Sequence, residues 1–181
     1  MALQERVERP EISPFDGGFI ALTQSGGTNP ALGGGFPVVF DAPDFPDVKD
    51  AFLTAEHDVE LAAFAVELNA YDSEEALKEA QPEMKPLEIP AFIPAGLLGM
   101  TQGDTPTAHA LMVGRLLEGG KVTNQLTGQS YSKGVMETPA GPIVLIVEPT
   151  LLEELPEVGS ILQVGAWISG RIAPEEDKDE R

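Results

Sequence analysis

Glu56, His57 and Glu60 fall together in the stretch TAEHDVE (residues 54–60), with Asp58 among them. On a helix the two glutamates lie four residues apart on one side with the imidazole adjacent, a donor set that a divalent cation can use. Mg²⁺ and Ca²⁺ need more converging oxygens than this stretch supplies, and it lacks EF-hand spacing. A solvated helix face has the same appearance and is the favoured reading, so a metal-assisted hydrolase built on these residues ranks last of three functional readings. His109, the only other histidine, has no nucleophile motif beside it: G-x-S-x-G is absent, and a chain without cysteine has no thiolate. The glycine-rich NPALGGGFP (29–37) lacks the Lys, the Ser/Thr and the following helix of a phosphate loop, and reads as turn. No catalytic residue is assigned, no cofactor is called for, and an enzyme is the less favoured class.

A second set is Arg115, Tyr131, Lys133, Trp167 and Arg171. Trp167 is the sole tryptophan and lies in GSILQVGAWISGRI (159–172). Read as a strand, that stretch puts Leu162, Val164, Ala166 and Ile168 on one face. Ile161, Gln163, Gly165, Trp167, Ser169 and Arg171 fall on the other. Cations beside aromatic rings suit base stacking or a small anionic ligand. A mixed face holding one Trp is also what a covered sheet face looks like, and burying that ring contributes about 3 kcal/mol. The favoured reading is a seam where Trp167 packs under the acidic N-terminal half or against a second subunit.

Charge narrows the partners. The chain has 30 acidic residues against 11 basic ones, a net charge of −19. The excess is uneven: residues 41–88 hold 14 acids and 3 lysines, whereas residues 105–172 hold 6 acids and 4 bases. Such a chain repels nucleic-acid phosphates and anionic lipid heads and suits basic partners or cations. Nucleic acid is therefore a disfavoured partner, and self-association or another protein the expected one. No run reaches the roughly 18 apolar residues of a membrane span, and the N-terminal MALQERVERPEISPF has no signal-like apolar core. The expectation is a cytoplasmic protein that does not enter a membrane.

The elements that must position these residues follow from periodicity. Residues 1–50 read as an extended arm with short strands at GGFIALTQSGG (17–27) and FPVVFDA (36–42), then a turn at PDFPD (43–47). Residues 51–81 read as acidic helices: Leu61, Phe64, Ala65, Leu68 and Tyr71 recur at helical spacing, and Asp72 with Glu75 resembles a capping box. Residues 82–107 form a proline-rich connector. From 108 to 172 the pattern is β-rich: AHALMVGRLLE, QSYSKGVMET and IVLIV read as strands, with turns at residues 119–120, 124–128 and 139–142. A short helix is expected after Thr150, then the long Trp167 strand. Residues 173–181 are an acidic tail.

Strand, strand, strand, short helix and strand over residues 108–172 resembles the OB-fold, a small Greek-key barrel with a helix after its third strand. The module is also similar to bacterial domains of uncharacterised function that end in a comparable strand. An OB barrel has two strands after that helix, so Gly165 is expected to bend the last run in two, or FIALTQ or FPVVF to supply the missing strand. The resemblance implies a binding face and hence the second functional reading, a binder of single-stranded nucleic acid or a small anionic ligand. The expected fold is α+β and β-rich, a small barrel packed against an N-terminal helical and extended segment. The leading functional reading is a non-catalytic binding or assembly protein that needs no cofactor and is expected to be a homo-oligomer.

Overall fold

Strands dominate, as the alternation requires. The structure, a computed structural model, describes residues 2–8, 17–22, 37–52, 57–82, 88–98 and 105–173. Among them are nine strands: β1 (Ala2–Glu8), β2 (Gly17–Leu22), β3 (Pro37–Asp41), β4 (Val59–Tyr71), β5 (Ala91–Ile93), β6 (His109–Thr123), β7 (Ser130–Thr138), β8 (Gly141–Val147) and β9 (Ile161–Ile172). Two helices, α1 (Phe45–Phe52) and α2 (Glu74–Ala80), complete a β-rich α+β fold.

Five strands close into a barrel. Going round it, β6 pairs with β9, β9 with β4, β4 with β8, β8 with β7, and β7 with β6. All contacts are antiparallel except β4 with β8, which is parallel over Ala62–Phe64. The inward side chains alternate as expected: Ala110, Met112 and Leu116 from β6, Met136 from β7, Ile143, Leu145 and Val147 from β8, and Leu162, Val164, Ala166 and Ile168 from β9 are all buried in one core. Gly114 lets β6 turn from β9 to β7, because a Cβ there would stand 2.1 Å from the Glu137 carbonyl oxygen. The two-residue turn from β7 to β8 uses Gly141 at φ +113, while Thr138 Oγ1 donates to the Gly141 carbonyl at 2.6 Å. The β6–β7 turn is built on Asn124, whose Oδ1 accepts from the Leu126 and Thr127 amides.

Residues 59–71 are a strand, not the helix expected over 51–71. β4 pairs with β9 along its whole length, from Val59 opposite Ile172 to Tyr71 opposite Ile161. Its register shifts between Ala65 and Glu67, so Val66 is an extra, bulged residue. Inward residues therefore run Leu61, Ala63, Ala65, then Leu68, and the three-residue step mimics a helical period. The strand that completes the barrel is thus β4, neither FIALTQ nor FPVVF, and Gly165 does not divide β9.

Other local expectations also change. Pro46 stands inside a helix that starts at Phe45, where a turn is expected over 43–47. The α2 cap is Ser73, one residue after Asp72, and its Oγ accepts from the Ala76 amide at 3.2 Å. The exposed Glu75 carboxyl lies below its ordinary range, held there by its own backbone hydrogen bond and then by the Ser73 hydroxyl. Gly119 and Gly120 lie inside β6 rather than in a turn. No helix follows Thr150: the segment forms only turns and bends up to β9. Leu152 and Leu155 of that segment nevertheless pack against the barrel core.

The N-terminal strands extend the sheet. β2 pairs antiparallel with β1 and β3, and β3 reaches β9 through Asp41 opposite Ser169. Phe19 touches Phe40 and Phe45, with ring centroids 5.7 and 5.2 Å apart, and all three rings join the barrel core. Residues 82–107 contribute β5, which pairs with β6, and a 3₁₀ turn at Ala95–Leu97. No described helix is long and apolar enough to cross a membrane.

Candidate functional site

The outer face of the barrel is where the alternation leaves apolar residues without a core. The continuous run IVLIV suggests a strand buried on both sides, yet β8 alternates: Val144 and Ile146 face outward and are only half-buried. On β4 the outward Phe64 is 38% exposed and the bulged Val66 51% exposed, too much for packing residues. Strand register places these side chains in rows. His109, Trp167, Phe64, Ile146 and Lys133 are successive cross-strand neighbours on β6, β9, β4, β8 and β7. The next row holds Ser169, Ala62, Val144 and Val135.

A groove of about 620 Å³ starts at Phe64 of the first row and follows Ser169, Ala62 and Val144 of the second, over β9, β4 and β8. Phe64 stands at one end, Ala62 and Val144 form the floor, and Glu60, Arg171 and Pro142 bound the other end. The Phe64 and Trp167 rings are in contact, with centroids 5.2 Å apart and planes tilted by 37°. Trp167 Nε1 donates to Asp41 Oδ2 at 2.7 Å, and Asp41 is 1% exposed. The N-terminal strand β3 therefore holds the tryptophan in place through a buried carboxylate. Across the groove, Arg171 Nε donates to Glu60 Oε2 at 2.8 Å in an exposed ion pair. A smaller cavity of about 110 Å³ opens beside it and shares Val59, Leu61 and Pro142 as walls.

The five candidate ligand residues do not form one cluster. Arg171 borders the groove from β9, and Trp167 stands beside it through its contact with Phe64. Lys133 is exposed in the row of Trp167 but three strand spacings away, about 14 Å. Tyr131 shares the outward face of β7 with Lys133 and lies further along it. Arg115 belongs elsewhere, paired with Glu74 at the start of α2. There Leu77 covers Val113 and Ile161, and Gln81 Nε2 donates to Gln163 Oε1 at 2.7 Å and to Tyr71 Oη at 3.3 Å. The mixed face of β9 is thus covered by α2 at its start and by β3 towards its end, with the groove between β9 and β8.

Of the proposed metal donors, only His57 and Glu60 lie among the described residues. Glu56 lies outside the described residues, His57 precedes β4, and Glu60 is committed to Arg171. Glu60 stands on β4 rather than on the helix expected there. No group of three or more metal-ligating side chains occurs among the described residues.

Phe64, Val144 and Ile146 were not candidates from sequence. Their signal is an apolar run on a barrel strand, which must put every second side chain outside. No family profile, curated protein or solved structure matches the chain.

Proposed function

We propose that this protein is a non-catalytic binding module that uses the outer groove of its barrel. The observation that carries the reading is the outward apolar strip of Phe64, Val66, Val144 and Ile146, set against a held Trp167. Barrel exteriors that face only water are polar, and a contiguous apolar strip with a polar border marks a contact surface.

Strand order lends support. An OB barrel pairs its strands in the ring 1-2-3-5-4-1, with 3 and 5 parallel. Here β6, β7, β8 and β9 occupy the places of its first four strands, and β4 that of the fifth, moved to the front of the chain. The parallel contact falls in the corresponding place, between β8 and β4. A second reading, single-stranded nucleic acid stacked on Phe64 and Trp167, draws on this order and on the ring pair. The net charge of −19 opposes it.

The test follows Trp167 fluorescence while adding a basic peptide or an oligothymidylate, and on concentrating the protein itself. Val144→Arg, placed on the groove floor, is run in parallel. A response to any of the three that this substitution removes supports the reading. Silence to all three, or responses that Val144→Arg leaves intact, would overturn it.

A further inference from the structure

Resting on that reading, we infer that the groove takes an extended, cationic segment of a partner protein, with one aliphatic side chain seated between Val59, Leu61 and Pro142. Three observations converge on this occupant. The first is shape. β4 is laddered on its β8 side only at Ala62–Phe64, and its start faces Pro142, which has no amide proton to offer. Among the described residues no strand is laddered to Val59–Leu61 on that side, and the groove runs along this stretch between β4 and Pro142, a shape that suits an extended segment.

The second is size. The 110 Å³ cavity shares Val59, Leu61 and Pro142 with the groove, and Val38, Phe92 and Ile143 line it further in. It is smaller than the about 150 Å³ that admits benzene, which suits one branched aliphatic side chain rather than an aromatic ring.

The third is charge. Glu60 bounds the groove, Asp58 is exposed just before it, and Glu137 is the cross-strand neighbour of Pro142 on the outward face of β7. Only Arg171 is cationic among the groove walls, and it is already paired with Glu60. A lysine or arginine of the partner would gain these carboxylates and the exposed face of Phe64. The whole molecule, at −19, draws such a segment in and repels a polyanion.

The full chain is titrated with Ac-Arg-Leu-Arg-Leu-Arg-Gly-NH₂, with its Glu-for-Arg counterpart, and with oligothymidylate, by calorimetry and Trp167 fluorescence. The arginine peptide should bind with a Kd on the order of 10–100 μM, and the other two not measurably at about 1 mM. Val144→Arg should weaken it at least tenfold, and Glu137→Gln should weaken it several-fold. The latter keeps the test decisive if the former does not fold. Glu75→Gln, on the exposed face of α2, should leave binding unchanged. Equal binding of the glutamate peptide, or equal weakening by Glu75→Gln and Glu137→Gln, overturns the inference. A Val144-dependent response to oligothymidylate or to self-association, with none to the arginine peptide, also overturns it while the binding reading stands. Silence to every probe overturns both.

Discussion

Phe64 and Trp167 touch, but they serve different ends. Phe64 presents its ring to solvent, whereas Trp167 spends its one polar group on Asp41. A hydrogen bond to a buried carboxylate is worth about 1.5–3 kcal/mol, because removing the donor leaves a desolvated oxygen poorly compensated. Trp167→Phe keeps a ring in the stack and deletes that donor. It should destabilise the fold by about 2 kcal/mol in urea denaturation followed by circular dichroism. Asp41→Asn keeps the side-chain shape, and the double-mutant cycle should return a coupling above about 1 kcal/mol. A coupling near zero would mean that β3 reaches β9 through its backbone and ring packing alone.

At the scale of elements, β4 explains both what the sequence made legible and what it hid. The faces of β7, β9 and the first half of β6 are readable because their alternation is unbroken: Met112 and Leu116, Met136, and Leu162 to Ile168 all point inward as period two requires, whereas β6 shifts register after Leu116. The face of β4 is not readable, because the bulge at Val66 replaces one two-residue step by three. Its Ala, Glu and Leu content also favours a helix intrinsically. Pairing with β9 through twelve of its thirteen residues overrides that preference. The groove was hidden with it, since Phe64 gains its place only when β4 stands between β9 and β8. A barrel corner was equally silent: Gly165 seemed the natural bend, whereas Gly114 makes it. Gly114→Ala would force a Cβ against a backbone carbonyl that its own ladder holds fixed. A loss of about 3 kcal/mol is expected in the same denaturation assay, against less than about 1 kcal/mol for Gly120→Ala, whose Cβ meets nothing within 4 Å. Equal costs at the two positions would remove Gly114 from the closure of the barrel.

Across the whole molecule the net charge acts on folding and on recognition with opposite signs. Among the described residues the side-chain ion pairs of Arg115 with Glu74 and of Arg171 with Glu60 join partly exposed groups and are worth little each. The excess of carboxylates crowds into residues 41–88, which supply β4 and α2, so repulsion within the folded state is expected to outweigh those pairs. Raising salt from about 0.01 M to 0.1 M shortens the screening length from about 30 Å to about 10 Å. That change screens the repulsion between elements more than contacts at bonding distance. If the gain is about 1–2 kcal/mol, the melting temperature should rise by about 3–6 °C for a chain of this length. The same screening weakens the attraction of a cationic segment to the groove, so its affinity should fall over the range in which the fold gains stability. Calorimetric melting and peptide titration at matched salt concentrations measure both trends. If affinity held while the melting temperature rose, the groove would be gripping its ligand by shape, and the carboxylates of Glu60 and Glu137 would have no part in recognition.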